Sequence, residues 1–470
     1  MADVNEGSSA APTYDSDLLS DQANDSEASS IGELARIAAK NRKPKLPHWT
    51  SLIDCQDGTL LEQVEICVSE QEKRTGAGRT AAMGMKDVYT VYLVETRVKE
   101  QGASGLGEGH TSLWRRYSEF ELLRNYLVVT YSFVVVPPLP EKRMTLMWQQ
   151  LSTVDNFDAD FIERRRVGLE GFLQRVGAHL LLCKDTVLHG FLQQEDGWKD
   201  TVLATGFQAK LPIGLETQQD SRLKSLNASF RLKKPDRKFE DLKNYASDLQ
   251  SHITAVLKVR AKLADRLYGI HKIHGNYGRV FSEWSGIEQE MGDGLQSAGH
   301  FMDAYKDYID DYMNEEEQIA DQLKEYIYFA DSLKSVCRKQ EVLQYEMEKA
   351  EEMLAAKTLQ RDQIQGNTPS KSFSLRGMRS KIFGPESQES RDAQVKLLEE
   401  QIEECEQHLK RSTQESVSFM ERALAEVERF KKQRTTDLKE IFINYAILQI
   451  KISKRGIAVW TNTKECFEKM

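Results

Sequence analysis

The stretch Trp114-Arg-Arg-Tyr-Ser-Glu-Phe120 reads as the end of a strand running into the start of a helix. Before it, Thr111–Tyr117 has the alternation of a strand, and after it apolar residues continue at helical spacing to about Thr130, with Ser118 as the expected N-cap. Neighbouring strand residues face opposite ways, so Arg115 and Arg116 diverge, and one of them is expected to be an ordinary exposed cation. Upstream, Leu61–Val68 and Val88–Val98 are rich in Val, Ile, Tyr and Thr and read as two more strands. The glycines between Gly102 and Gly109 precede a strand rather than a helix, so they suit a hairpin loop and not a phosphate-binding turn. Downstream, Val134–Pro140 carries three prolines in its last four positions and is expected to be extended. Helices are expected over Asp158–Gly177 and near Leu188–Leu192. Three strands followed by helices define an α+β domain of about 130 residues.

Beyond Phe239 the apolar period lengthens. Positions alternating by three and four run from Phe239 through Leu242, Ala246, Leu249, Ile253 and Val256 to Trp284, a sustained heptad seam. Gly292, Gly294 and Gly299 are expected to break it. A second helix carries Phe301, Tyr312, Leu323, Tyr326 and Leu333 and stops before Gly366; a third runs from about Asp392 to Lys469. At 1.5 Å per residue these helices reach about 75–120 Å, so the expected architecture is an elongated antiparallel three-helix bundle, dimeric. The chain divides into an acidic, disordered tail (1–50), the α+β domain (51–197), a linker with a candidate amphipathic helix (198–235) and the bundle (236–470) with a tip loop near 366–391.

The 470 residues have a formal net charge of −9. Eight acids and no Lys or Arg lie in residues 1–35; removing those eight from 73 leaves 65 acids against 64 bases. Global charge therefore selects no partner, and nucleic acid is not expected. No run approaches the ~18 apolar residues of a membrane span, and the start lacks the basic and apolar segments of a signal peptide. The six cysteines are scattered without zinc or disulfide spacing and read as reduced cytosolic thiols. No metal, cofactor or catalytic motif is evident; His408-Leu-Lys410 with Glu415 sits inside a heptad helix and is a coincidental likeness to a phospholipase D motif.

Taken together, Trp114–Phe120, Pro137-Pro-Leu-Pro-Glu-Lys142 and Phe161-Ile-Glu-Arg-Arg-Arg166 resemble, in order and spacing, the phox-homology (PX) domain, which binds phosphoinositides. That resemblance implies a site for phosphatidylinositol 3-phosphate. Arg116 would grip the 3-phosphate with a fork of donors, Tyr117 would pack on the inositol and Ser118 would donate at the helix start. Lys142 would meet the 1-phosphate and Arg165 the ring hydroxyls, although Arg164–Arg166 leaves that last assignment open by one position. Met144, Leu146, Met147 and Trp148 follow the basic loop and suit either a bilayer-inserting finger or domain core. Ser221–Lys234 combines basic residues with Leu223, Leu226 and Phe230 on one helical face, and Ser370–Gly384 mixes basic and apolar residues at a bundle tip.

A PX domain followed by three heptad helices resembles the sorting nexins that carry a BAR domain. The resemblance implies a non-enzymatic, peripheral protein on the cytoplasmic side of early and recycling endosomes. It further implies curvature sensing or induction, receptor recycling to the plasma membrane, a link to autophagy, and a heterodimer with a related nexin of the sorting nexin 7 or sorting nexin 30 type. The alternative is a coiled-coil scaffold whose PX domain binds protein rather than lipid.

Overall fold

The computed structural model describes residues 58–76, 87–99, 109–142, 159–210, 232–366 and 388–470. The expected N-terminal tail, the insertion finger Met144–Trp148, nearly all of Ser221–Lys234 and the tip loop 367–387 lie outside them.

Helix α1 (Leu60–Gln63) is a single turn that delivers Leu60 and Leu61 to the core before β1 (Val64–Gly76) begins. The first strand therefore starts three residues later than its composition suggests and runs farther. β1, β2 (Asp87–Val98) and β3 (His110–Arg116) form an antiparallel meander in that order. The register pairs Val68 with Val94 and Val91 with Arg116, and a bulge interrupts β1 between Val68 and Glu70. Val64, Ile66, Val68, Tyr92, Val94 and Leu113 face the core. On them pack α2 (Tyr117–Thr130) through Phe120, Leu123 and Leu127, and α3 (Ala159–Gly177) through Leu169, Phe172 and Val176.

Helix α4 (Thr186–Gln193) is capped by Asp185, whose Oδ1 accepts from the Val187 and Leu188 amides at 2.7 and 3.2 Å. The part of the expected linker from 198 to 210 is instead structured: α5 (Trp198–Ala204) and a 3₁₀ turn at Phe207–Lys210 fold back on the domain. The cause is one large side chain. Trp198 is fully buried, its Nε1–H donates to Val187 O at 2.9 Å, and its ring meets that of Phe191 at 5.0 Å.

Three long helices follow: α6 (Arg237–Ser285), α7 (Gly292–Gln365) and α8 (Gln388–Glu468), with α7 packed against both others. Asp236 caps α6, accepting from Lys238 N at 2.8 Å. The break between α6 and α7 lies at residues 286–291, not at the glycine cluster. Gly299 is helical, and a Cβ there would stand 3.0 Å from the Gly278 carbonyl oxygen, while a Cβ on Gly278 would collide with Asp303. These glycines allow two helices to approach closely rather than ending one.

The heptad seam of α6 is only partly closed. Phe239, Ala246, Ile253 and His274 in one row are buried against the bundle, as is Leu242 in the other. From Val256 onward the second row turns outward: Val256, Leu263, Ile270, Tyr277 and Trp284 are all exposed, at seven-residue intervals.

Candidate functional site

At the end of β3 the chain presents two arginines to two different worlds. Arg115 points inward and is 2% exposed. Its Nε and Nη2 donate to Phe191 O at 3.1 and 2.8 Å, and Nη2 also donates to Gln194 O. It thereby satisfies the terminal carbonyls of α4, which have no partner within the helix. Its guanidinium lies 5.0 Å from the Phe191 ring centroid and 5.4 Å from that of Trp198. Arg115 is therefore not the ordinary surface cation expected of one of the two; it is a buried clamp, and Arg116 is the exposed one.

Arg116 faces outward and is exposed. Its guanidinium carbon lies 3.6 Å from the centroid of Tyr89 on β2, a cation–π platform, and it forms no ion pair among the described residues. Tyr89 was invisible to motif reading; the pairing of Val91 with Arg116 places it diagonally across the sheet. Arg116 is also the N-cap of α2, with its amide donating to Glu119 Oε2 at 2.8 Å. Ser118 is therefore not the N-cap: Glu119 takes the capping part with its carboxylate, leaving Ser118 exposed in the first turn.

Tyr117 opens α2 half-buried, and its hydroxyl donates to Pro140 O at 2.6 Å, pinning the proline loop to the helix start. Burial first, then the Glu121 carboxylate, pushes its phenol well above the usual tyrosine range. Two cations flank its ring: Lys142 Nζ at 5.9 Å and the Arg165 guanidinium at 5.3 Å. Lys142 is exposed and pairs with Glu121 at 2.7 Å. Arg165 is buried; Nε donates to Glu141 O at 3.2 Å, Nη2 to Lys142 O at 2.5 Å and Nη1 to the Tyr92 hydroxyl at 3.4 Å.

The run Arg164–Arg166 spreads around α3. Arg164 leaves the domain to meet Glu317 at 2.6 Å, and Arg166 binds Glu163 at 2.7 Å and Val68 O. Only Arg165 reaches Tyr117 and the Lys142 loop among these three. The structure thus gathers Tyr117, Lys142 and Arg165 and sets Arg116 and Ser118 at the adjoining strand–helix corner. A helix start, a planar guanidinium and a flexible ammonium around one aromatic ring suit a phosphorylated polyol. Among the described residues no acid, His and Cys cluster suits a metal ion, and no helix is long and apolar enough to cross a membrane.

The α+β domain is riveted to α7 and α8 by contacts absent from any local motif. Arg175 meets Glu325 at 2.8 Å and Asp437 at 2.8 Å, and the Tyr326 hydroxyl donates to Asp437 at 2.5 Å. Arg124 donates to Pro137 O and to Ser332 Oγ, both at 3.0 Å. The Tyr328 hydroxyl donates to Glu141 Oε1 at 2.6 Å.

Comparison with known proteins agrees with this architecture. The PX domain family matches residues 104–195. The chain is 56% identical to sorting nexin-4 of Mus musculus over 410 residues, covering 87% of this chain and 88% of that protein. It is 56% identical to sorting nexin-4 of Homo sapiens over 412 residues, with the same coverage. The sorting nexin-4 of Neurospora crassa is 26% identical over 416 residues, 80% of each chain. Among solved structures, the cryo-EM structure of the SNX-BAR Mvp1 tetramer matches with a TM-score of 0.50 at 16% identity, covering 85% of this chain and 99% of that one. A PX domain set on an elongated helical bundle defines a sorting nexin of the BAR type. Within that class the chain belongs to the sorting nexin-4 family.

Proposed function

We propose that the chain is a non-enzymatic peripheral membrane protein that binds phosphatidylinositol 3-phosphate through Arg116, Tyr117, Ser118, Lys142 and Arg165. It acts on the cytoplasmic face of early and recycling endosomes, in recycling of receptors to the plasma membrane and in processes linked to autophagy. The observation that carries the lipid reading is the Tyr117 ring flanked by Lys142 and Arg165 beside the outward Arg116. Lys142 would exchange its carboxylate partner Glu121 for a phosphate. Met144, Leu146, Met147 and Trp148 would enter the bilayer next to the pocket.

The exposed row Val256–Trp284 and the exposed Ile443, Ile447, Ile450, Ile457 and Trp460 of α8 support dimerisation. The partner would be a second copy or a related nexin of the sorting nexin 7 or sorting nexin 30 type. A dimer presents two headgroup sites on one curved body, which favours curved vesicles by intramolecular second binding.

Arg116→Ala tests the site. Losing a charge-assisted, bidentate phosphate contact costs about 2–5 kcal/mol by analogy with truncated charge pairs. Co-sedimentation with vesicles containing phosphatidylinositol 3-phosphate should be lost while the unfolding profile stays that of the wild type. Unchanged sedimentation would refute the site, and retained endosomal recruitment of the variant would favour the scaffold alternative.

A further inference from the structure

We propose that Tyr328, on the bundle helix α7, is a positioning residue of the headgroup site, holding the Glu141 carboxylate away from the cations that receive a phosphate. The proposal rests on the phosphoinositide reading given above.

The loop carrying Lys142 is fixed from several sides. Arg124 holds Pro137 O, Tyr117 holds Pro140 O, and Arg165 holds the backbone oxygens of Glu141 and Lys142. Between Pro140 and Lys142 this loop carries an acid, Glu141, in the place least suited to one. A carboxylate adjoining Lys142 and tied by its own backbone to Arg165 competes with any phosphate for those two cations. Its carboxylate is instead engaged by the Tyr328 hydroxyl at 2.6 Å, the length of a strong hydrogen bond to an ionised acceptor, and feels the charge of Arg164 on the side of the bundle. Tyr328 lies 187 positions away in sequence, on the other domain. Burial, followed by the neighbouring Glu141 charge, raises the Tyr328 phenol far above its ordinary value, so it stays a donor at any physiological pH.

The helical bundle therefore does more than carry the headgroup domain: one of its side chains finishes the site. The chemistry also separates positioning from strut. A strut works whatever the charge at 141, whereas a positioning residue that restrains a competing carboxylate becomes dispensable once that carboxylate is neutral.

The test is calorimetric binding of a soluble short-chain phosphatidylinositol 3-phosphate to the full chain, with Arg116→Ala as the control. Tyr328→Phe keeps the ring and removes the donor, and is expected to weaken binding about fivefold, the size of one net hydrogen bond. Adding Glu141→Gln to Tyr328→Phe is expected to restore affinity to within about twofold of wild type. Equal affinity of Tyr328→Phe and wild type overturns the proposal. So does a double variant as weak as Tyr328→Phe, which would make Tyr328 a strut between domains. A wild-type chain that does not bind the headgroup removes the phosphoinositide reading itself, and the proposal with it.

Discussion

The two ends of the bundle seam are built from similar residues and come to opposite fates. Around Tyr326, Phe329 and Phe430, α7 and α8 are sealed by the PX domain, with Arg175 reaching into their interior. Past Val256 on α6 and Phe442 on α8, equally apolar rows stand exposed. The first region buries its apolar surface within one chain and adds charged ties; the second keeps its surface open and holds few charges along the row. An internal joint tolerates buried ions because its partners are always present. A surface that is to pack against a second chain, as proposed for these rows, would avoid them, because an unpaired ion would face water in one state and protein in the other.

The sharpest way to break this contrast is Arg175→Ala. Glu325 and the fully buried Asp437 would lose their cation, and breaking one side of a buried pair costs about 3–5 kcal/mol. Denaturant unfolding should move to a markedly lower midpoint, or show the PX domain separating as its own transition. An unfolding curve that superimposes on the wild type would mean the joint is held by apolar packing alone.

A smaller effect is expected from Ile270→Asp with Tyr277→Asp, which tests the open end. Both residues are exposed in the single chain, at 40% and 46%, so unfolding measured at a dilution where the wild type is also monomeric should hardly change. The oligomeric state should change instead. Sedimentation should report monomer where the wild type is dimeric, and vesicle affinity should fall about a hundredfold as the second headgroup site is lost. Affinity for a soluble headgroup should hold. If the variant sediments like the wild type, the exposed row is not the interface.

The elements on both sides of this contrast are legible in the sequence, and what is not legible shares a cause. Strand alternation and heptad spacing are local, so the three strands, the helix that follows them and the three long helices follow from residues a few positions apart. The three-arginine run left one position open, and the α3 rotation placed Arg165 beside Tyr117. What local spacing could not reveal is which face meets another element. Arg115 reads as a surface cation until α4 supplies carbonyls 76 and 79 positions away. Helix α5 reads as linker until Trp198 finds Phe191. The glycines near 294 read as breakers until Gly278 and Gly299 bring helices together. Tyr89 reaches Arg116 through strand register and Tyr328 reaches Glu141 through docking of the helices, and for neither does a spacing rule exist.

The smallest effect concerns acid and falls on the joint alone. Glu317 on α7 lies between Arg164 of the PX domain at 2.6 Å and Arg260 of α6 at 2.5 Å, with Lys324 at 3.5 Å. Burial would raise its pKa, but the charges of Lys324, Arg260 and Arg164 outweigh that and lower it from 4.5 to about 2. The sign follows from linkage. With a folded value below the unfolded one, the unfolded chain takes up the proton first as pH falls. The stabilisation is therefore full above pH 4.5, declines between about 4.5 and 2, and is gone below. Glu317→Gln removes this titration while leaving a side chain of the same shape. The unfolding midpoint of the variant should sit below that of the wild type at pH 6, and the two should converge as pH drops toward 3. Parallel pH profiles for Glu317→Gln and wild type would show that the three cations do not hold the carboxylate ionised, and that acid reaches the joint by another group.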